Sequence, residues 1–270
     1  MTWNPLRRPH LTAKLSFAPS VIDRAEDQQL EVLYYKLQHV EETSRRLQKN
    51  MKKYIEYLTN ASKSEQRITS ELSSSQICFQ NDELRKIVED YHSVTVKGNE
   101  NVAELSSTSQ QCFQEPLKKF ISMFAAIDAA FQNREQLAQE WRNLSVKVRK
   151  LEEKERTGTN IVKLERERKA LAAASTELLA CHSSLLFELR YFLEKRPDFF
   201  HPILEAFMRS QLEYHGNMTR LFTMLVKISY PQSDASPSSA MVPENEFQAS
   251  VNEKLHKLQS LSIVRQKQIK

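Results

Sequence analysis

The spacing of proline is the feature that most limits what this chain can fold into. No proline stands between Pro19 and Pro116 or between Pro116 and Pro197, so two long stretches lack the residue that most reliably interrupts a helix. Only 3 glycines occur among the 270 residues, which argues against a fold with many tight turns. The chain is therefore predicted to be all-α, with three long, kinked, antiparallel helices.

The first of these helices is predicted to begin after Asp23 and to carry a seam of apolar residues. The steps along this seam alternate between three and four residues, which is typical of a coiled coil. We predict that the seam forms the core and the dimer interface. Its residues are Leu30, Leu33, Leu37, Val40, Leu47, Met51, Tyr54 and Leu58, with the polar Ser44 at the step between Val40 and Leu47, and the same register continues through Ala61, Glu65, Ile68 and Leu72.

A second helix is predicted over about residues 84–156, with a bend at Pro116. Its later half repeats the heptad spacing at Phe120, Met123, Ile127, Ala130, Arg134, Leu137, Trp141, Leu144, Val148 and Leu151. Gly158 is predicted to close this helix, and Thr159 or Asn160 to cap the next one.

The third helix is predicted over about residues 161–228. The resulting division is an N-terminal segment at 1–22, a three-helix domain at 23–230, a linker rich in proline and serine at 231–243 and a short amphipathic segment at 244–270. The N-terminal segment is at most weakly amphipathic, because Pro9 and Pro19 leave only nine residues between them. Helices this long bury their seams poorly in a monomer, so a symmetric homodimer with a six-helix core is expected.

The sequence offers no pattern that predicts an enzyme, a cofactor or a metal site. The three cysteines are widely scattered, which fits neither a disulfide framework nor a zinc site. The three glycines are about sixty residues apart, and phosphate-cradling loops need at least two close together. We also find no continuous apolar run of about 18 residues and no secretory signal at the start, and therefore expect an intracellular protein.

Positive charge is concentrated in particular places, although the formal net charge is only +5. Residues 44–54 carry +5, residues 147–169 carry +4 and residues 1–20 carry +3, so the remainder sums to −7. Such segregation suggests an anionic partner. The first concentration, here called the basic run, consists of Arg45, Arg46, Lys49, Lys52 and Lys53. It is predicted to face away from the seam, either as a solvated helix face or as a surface for something negative.

The second concentration lies on two antiparallel helix ends and the turn that joins them. Its cations, here called the tip cluster, are Lys147, Arg149, Lys150, Lys154, Arg156, Lys163, Arg166, Arg168 and Lys169. They are predicted to converge in space despite their spread in sequence. They either contact an anionic leaflet or form salt bridges with the five glutamates of the same stretch.

Several short motifs follow one another in a particular order along nearly the whole chain. They are MTWNP at the start, KLQHVEETSRRLQKNMKKY in the first helix, EPLKKF at 115–120, LEEKERTG at 151–158 and LSIV at 261–264. This order resembles that of the BAR-domain proteins of the amphiphysin and bridging-integrator group, here without an SH3 domain.

The resemblance implies a crescent-shaped homodimer that binds curved, anionic phospholipid membrane and links membrane shape to actin organisation, cytokinesis or endocytosis. It implies a cytoplasmic protein, peripheral on membranes and associated with the cytoskeleton, with actin regulators or small-GTPase pathway proteins as further partners. Membrane contact is expected from the tip cluster, from the basic run and from Arg134. This arginine is the only cation where many relatives carry a dense basic cluster.

Two other functions remain open from the residues alone. The first is a coiled-coil adaptor of the cytoskeleton whose main ligands are proteins rather than lipid. The second, nucleic-acid binding, is disfavoured because no aromatic residues are interleaved with the cations for base stacking.

Overall fold

The computed structural model describes Ala18, residues 21–229 and residues 244–261, and all regular structure in these ranges is helical. The prediction of an all-α fold is therefore confirmed. Most of the N-terminal segment at 1–22 and the whole linker at 231–243 lie outside the described residues. The elements are α1 (Arg24–Ser73), α2 (Gln76–Gln80), α3 (Asp82–Ser109), a π-helical segment (Gln110–Gln114), α4 (Glu115–Glu152), α5 (Gly158–Ser229) and α6 (Glu244–Gln259).

The chain divides into two compact units. Unit 1 consists of Met1–Tyr57 and Ser106–Ser210, and unit 2 consists of Leu58–Leu105 and Gln211–Lys270. The basic run, the tip cluster and Arg134 all belong to unit 1.

Unit 1 packs α1, α4 and the first part of α5 around an apolar core. The Phe120 ring of α4 stacks on Phe192 and Phe199 of α5, with ring centroids 5.6 and 4.8 Å apart. Leu30 and Leu37 of α1 are buried in the same cluster. Because α4 and α5 pack against each other in this core, the cations at the end of α4 and at the start of α5 lie on neighbouring helix ends.

The heptad seam of α1 is turned inward within unit 1. Leu30, Leu37 and Met51 are buried, and the seam residues between and beside them, Leu33, Val40, Leu47 and Tyr54, are half-buried against the apolar clusters. Leu58, the first residue of unit 2, is also half-buried. The role of this seam in a dimer stays a prediction.

The inward face of α1 changes register after Leu58, and the predicted continuation of the seam is wrong. Ile68 is 56% exposed, whereas Ser62 and Thr69 are buried. Helix α3 explains the change, because it brings polar partners to this face. Ser62 donates a hydrogen bond to Asn99 at 3.2 Å, and the Thr69 hydroxyl lies 2.9 Å from Nδ1 of His92 and 3.0 Å from the Thr95 hydroxyl. A buried polar residue is stable when its hydrogen bonds are satisfied in this way.

The helices continue through Pro116 and Pro197 because the backbone or a side chain rearranges locally at each of them. The π-helical segment ends at Gln114, two residues before Pro116, and the Glu115 amide donates a hydrogen bond to the Gln110 carbonyl there. At Pro197 the missing amide would leave the Leu193 carbonyl without its helical donor. The Arg196 guanidinium supplies that donor at 3.0 Å, so α5 continues through the proline.

The turn between α4 and α5 differs from its prediction. Helix α4 ends at Glu152, and Gly158 is the first residue of α5 rather than the residue that closes α4. Among the described residues no glycine has a positive φ, so Gly158 does not act as a left-handed cap. The Thr157 hydroxyl instead accepts a hydrogen bond from the Asn160 amide at 3.4 Å, so α5 is capped two residues before Thr159, the earlier of the two predicted caps.

Candidate functional site

All nine cations of the tip cluster are exposed. Two of them form ion pairs: Arg149 Nε lies 3.6 Å from Glu153 Oε1, and Arg168 Nη2 lies 2.6 Å from Glu152 Oε1. The other seven make no ion pair with any residue that the structure describes. Salt bridging therefore accounts for a minority of the cluster, and most of its positive charge faces solvent.

The turn that carries the tip cluster is held by hydrogen bonds. The Asn160 side-chain amide donates to the Glu155 carbonyl at 2.9 Å, and the Thr157 amide donates to the same carbonyl at 2.9 Å. The pair between Arg168 of α5 and Glu152 of α4 joins the two helix ends. The cluster is thus a fixed basic surface, able to attract anions by Coulomb forces that salt screens.

The basic run is exposed as predicted from its position on α1, but acids one turn earlier neutralise part of it. Arg45 pairs with Glu41 at 2.7 Å, and Arg46 lies 4.0 Å from Glu42. The three lysines of the run, Lys49, Lys52 and Lys53, are exposed and have no ion pair within the described part of the chain. The run is a weaker basic surface than the tip cluster.

Arg134 does not contact solvent, and the prediction that it binds membrane is wrong. Its side chain is 0% exposed, because α4 turns this position into the three-helix core. The guanidinium forms ion pairs with Asp27 of α1 and with its neighbour Glu135. A buried arginine needs such acids to offset the cost of leaving water. The heptad spacing of α4 predicts this inward position, whereas the charge of the residue alone does not.

His182 and Asp27 complete a buried charged centre around Arg134. Burial lowers the pKa of His182, and the positive charge of Arg134 lowers it further, so the ring is neutral at neutral pH. Burial also raises the pKa of Asp27, which the Arg134 charge partly counteracts. Neither ring nitrogen of His182 has a hydrogen-bond partner among the described residues. Arg134 and His182 are fully buried while the two acids, Asp27 and Glu135, are partly exposed, and we interpret this centre as part of the core of unit 1.

The three cysteines, Cys78, Cys112 and Cys181, are free thiols that form no disulfide. Cys181 accepts a weak hydrogen bond from the Asn133 side chain at 3.8 Å, and burial raises the pKa of its thiol. Within the part of the chain that the structure describes, no three histidine, cysteine or acidic side chains are grouped to hold a metal ion.

An apolar groove on α4 and α5 was not anticipated. It is lined mainly by Phe120, Met123, Phe187, Tyr191 and Phe192, with charged residues along its edge. Phe187 is 71% exposed, which is unusual for a phenylalanine in the middle of a long helix. Aromatic residues spaced four apart on the helix face opposite the buried leucines are the sequence signal that could have revealed this groove.

By length and composition, α5 also contains a stretch that could span a membrane, and only 22% of that stretch is buried. The prediction that the sequence holds no apolar run of about 18 residues is wrong by this measure. The buried residues of α5, such as Leu178 and Leu185, pack against α1 and α4. We interpret α5 as a bundle helix with a second, open apolar face.

Comparisons with known proteins agree on one family. A family model described as BAR domain matches residues 20–227. Bridging integrator 3 from Homo sapiens is 34% identical over 98% of this chain and 99% of its own length. The Regulator of cytoskeleton and endocytosis RVS161 from Candida albicans is 24% identical over 79% of this chain and 81% of its own. The solved amphiphysin BAR domain from Drosophila has a TM-score of 0.63 at 16% identity, covering 79% of this chain and 97% of that domain.

Proposed function

The chain belongs to the BAR-domain family, and we propose that it works as a homodimer that binds curved, anionic membrane and links membrane shape to actin organisation, cytokinesis or endocytosis. It acts without catalysis, in the cytoplasm, at membranes and with the cytoskeleton. The names of two relatives, Bridging integrator 3 and a regulator of cytoskeleton and endocytosis, support this proposal.

The observation that carries the proposal is the exposed charge of the tip cluster. Seven of its nine cations lack an ion pair among the described residues, so they retain their charge for an external anion. Each basic residue near an anionic leaflet contributes about 1 kcal/mol. A dimer with two tips adds these contributions, since the second tip binds at a high effective concentration.

The apolar groove of unit 1 supports the dimer. An exposed apolar surface rimmed by charged residues is typical of a protein interface. We propose that a second copy of the chain binds this groove and the exposed apolar side chains of α5 beside it. Changing Phe187→Ser and Tyr191→Ser together is expected to halve the mass measured by light scattering. A doubly substituted chain that stays dimeric would exclude this groove from the interface.

The membrane proposal is tested by co-sedimentation with vesicles. We expect the protein to bind vesicles with anionic lipid, to bind neutral vesicles poorly and to lose binding as salt rises. Replacing Lys154, Arg156, Lys163 and Arg166 by glutamine should reduce binding to anionic vesicles by up to about a thousandfold, given about 1 kcal/mol for each cation. The matched control neutralises two other lysines and two other arginines of unit 1 that are exposed and have no ion pair among the described residues, namely Arg24, Lys36, Lys119 and Arg190.

Two results would count against the proposal. One is equal binding to neutral and anionic vesicles, or no binding at all. The other is an equal loss of binding in the tip variant and in its control, which would mean that vesicle binding depends on the net charge of the protein and not on the tip cluster. If the tip variant also keeps its position at the cell cortex, the protein is better described as a cytoskeletal adaptor whose ligands are proteins.

A further inference from the structure

Two apolar side chains stand exposed in the middle of the tip cluster. Ile161 is 52% exposed and Val162 is 71% exposed. Single exposed apolar residues are common on protein surfaces, but these two are adjacent and surrounded by cations. They line a shallow depression with Arg166, Lys169 and Glu165, the last being the only acid in that lining.

The helical spacing places one of these residues on the same face as the cations. Val162, Arg166 and Lys169 follow one another at steps of four and three residues, so they share one face of α5. The opposite face carries Leu164 and Leu171, which are partly buried. The outward face of α5 at the tip is therefore apolar at its start and basic over the next two turns.

The local structure presents these side chains from a helix rather than from a loose loop. Helix α5 begins at Gly158, three residues before Ile161, and the Thr157 cap precedes it. The Asn160 side chain ties the helix start back to the Glu155 carbonyl. Held in this way, the apolar pair loses little conformational freedom when it enters another phase.

We propose that Ile161 and Val162 insert into the headgroup and upper acyl region of an anionic bilayer while the surrounding lysines and arginines bind the lipid headgroups. The inference rests on the proposed membrane function and adds a second, apolar component to it. The charge of the rim argues for this occupant, since exposed cations around an apolar centre complement an anionic, amphipathic surface. A protein partner or a second copy would have to leave that rim charge unpaired or supply acids for it.

The two components respond differently to salt, which allows them to be separated. High salt screens the exposed cations but leaves apolar insertion intact or strengthens it. We expect the intact protein to retain measurable binding to anionic vesicles at about 0.5 M salt. The double variant Ile161→Ser, Val162→Ser should bind about tenfold more weakly at low salt and should lose the salt-resistant part entirely. The matched control is Val251→Ser, Leu255→Ser on α6, which removes two exposed apolar side chains outside the region that matches the family.

A second measurement reports insertion directly. The variant Val162→Trp should show tryptophan fluorescence that is quenched by vesicles containing brominated acyl chains, beyond the quenching of the intact protein with its two native tryptophans. Circular dichroism of each variant checks the fold, which should be unchanged because both side chains are exposed.

The outcomes separate the insertion from the membrane proposal. Salt-sensitive binding with no quenching at position 162 and no loss in the serine variant overturns the insertion and leaves the membrane proposal standing. No binding to anionic vesicles by the intact protein overturns both. A lower mass of the serine variant in the absence of lipid shows that the pair packs against another copy, which also overturns the insertion.

Discussion

Arg134 and Arg166 lie on consecutive helices of unit 1 and carry the same guanidinium group, but their surroundings are opposite. Arg134 is buried against Asp27 and Glu135. Arg166 is exposed in the tip cluster and makes no ion pair with the described residues. The buried arginine joins α4 to α1, and the exposed one is open to an anion outside the molecule. The acids that other helices bring near a cation therefore decide its role.

The largest expected effect comes from removing the buried arginine. Arg134→Ala leaves Asp27 in the core without its partner, which should lower the free energy of unfolding by about 3–5 kcal/mol. Urea denaturation followed by circular dichroism measures this loss. Arg166→Ala is the matched control and should change stability by less than about 0.5 kcal/mol. Equal stability of the two variants would remove the distinction between them.

A double substitution sharpens the same comparison. Replacing Arg134 by Met and Asp27 by Leu removes both charges of that ion pair and keeps apolar volume in the core, while Glu135, 33% exposed, keeps its contact with solvent. Such replacements of buried ion pairs are often neutral or stabilising. We expect the double variant to recover most of the stability that Arg134→Ala loses. Failure to recover would mean that the pair is needed for the packing of α1 on α4.

Heptad spacing predicts which residues of a helix face inward where the helix repeats its own pattern. It does not predict them where a neighbouring helix supplies polar partners. The α1 seam from Leu30 to Met51 follows from heptad spacing alone, because each position depends on its own helix. The shift to Ser62 and Thr69 depends on Asn99, His92 and Thr95, which α3 supplies from 23 to 37 residues further along the chain. Spacing on one helix carries no information about such partners.

The candidate site shows the same limit. Exposure of the tip cluster follows from its density of charge at two helix ends, which no core could hold. The sequence predicts two incompatible positions for Arg134, one on the inward heptad seam of α4 and one on a membrane-binding surface. Only its contact with Asp27 shows that the inward position is the right one. The outward position of Val162 among the cations likewise becomes clear only once the start of α5 is fixed at Gly158.

The next largest effect is expected from the basic run, which is exposed like Arg166 but partly ion-paired like Arg134. Changing Lys49, Lys52 and Lys53 to glutamine removes its three lysines without a described ion pair and leaves the paired Arg45 and Arg46. We expect binding to anionic vesicles to weaken by up to about a hundredfold, less than in the tip variant, because three cations without a described ion pair are removed rather than four. Stability should not change. A loss equal to that of the tip variant would make the run an equal partner in membrane contact.

The smallest expected effect is a pH dependence of the buried charged centre. Burial, and after it the charge of Arg134, lowers the pKa of His182 from its usual 6.5, while Asp27 and Glu26 on α1 partly offset the shift. The folded protein therefore binds fewer protons at this site than the unfolded chain does. The stability that the neutral ring contributes is fully present above pH 6.5 and is lost as the pH falls below it. Asp27, whose pKa is raised from 3.8, acts in the opposite direction and at lower pH.

Between about pH 7.5 and pH 5.5, we expect the free energy of unfolding to fall by no more than about 1.4 kcal/mol because of His182. The variant His182→Leu should lack this part of the pH dependence, since leucine fills a similar volume and binds no proton. Urea denaturation of both proteins at several pH values measures the difference. The exposed histidine His201 provides the matched control, and its replacement by leucine should leave the pH dependence as it is. If His182→Leu and the intact protein lose stability in parallel below pH 6.5, the proton is taken up elsewhere and the centre around Arg134 is insensitive to pH.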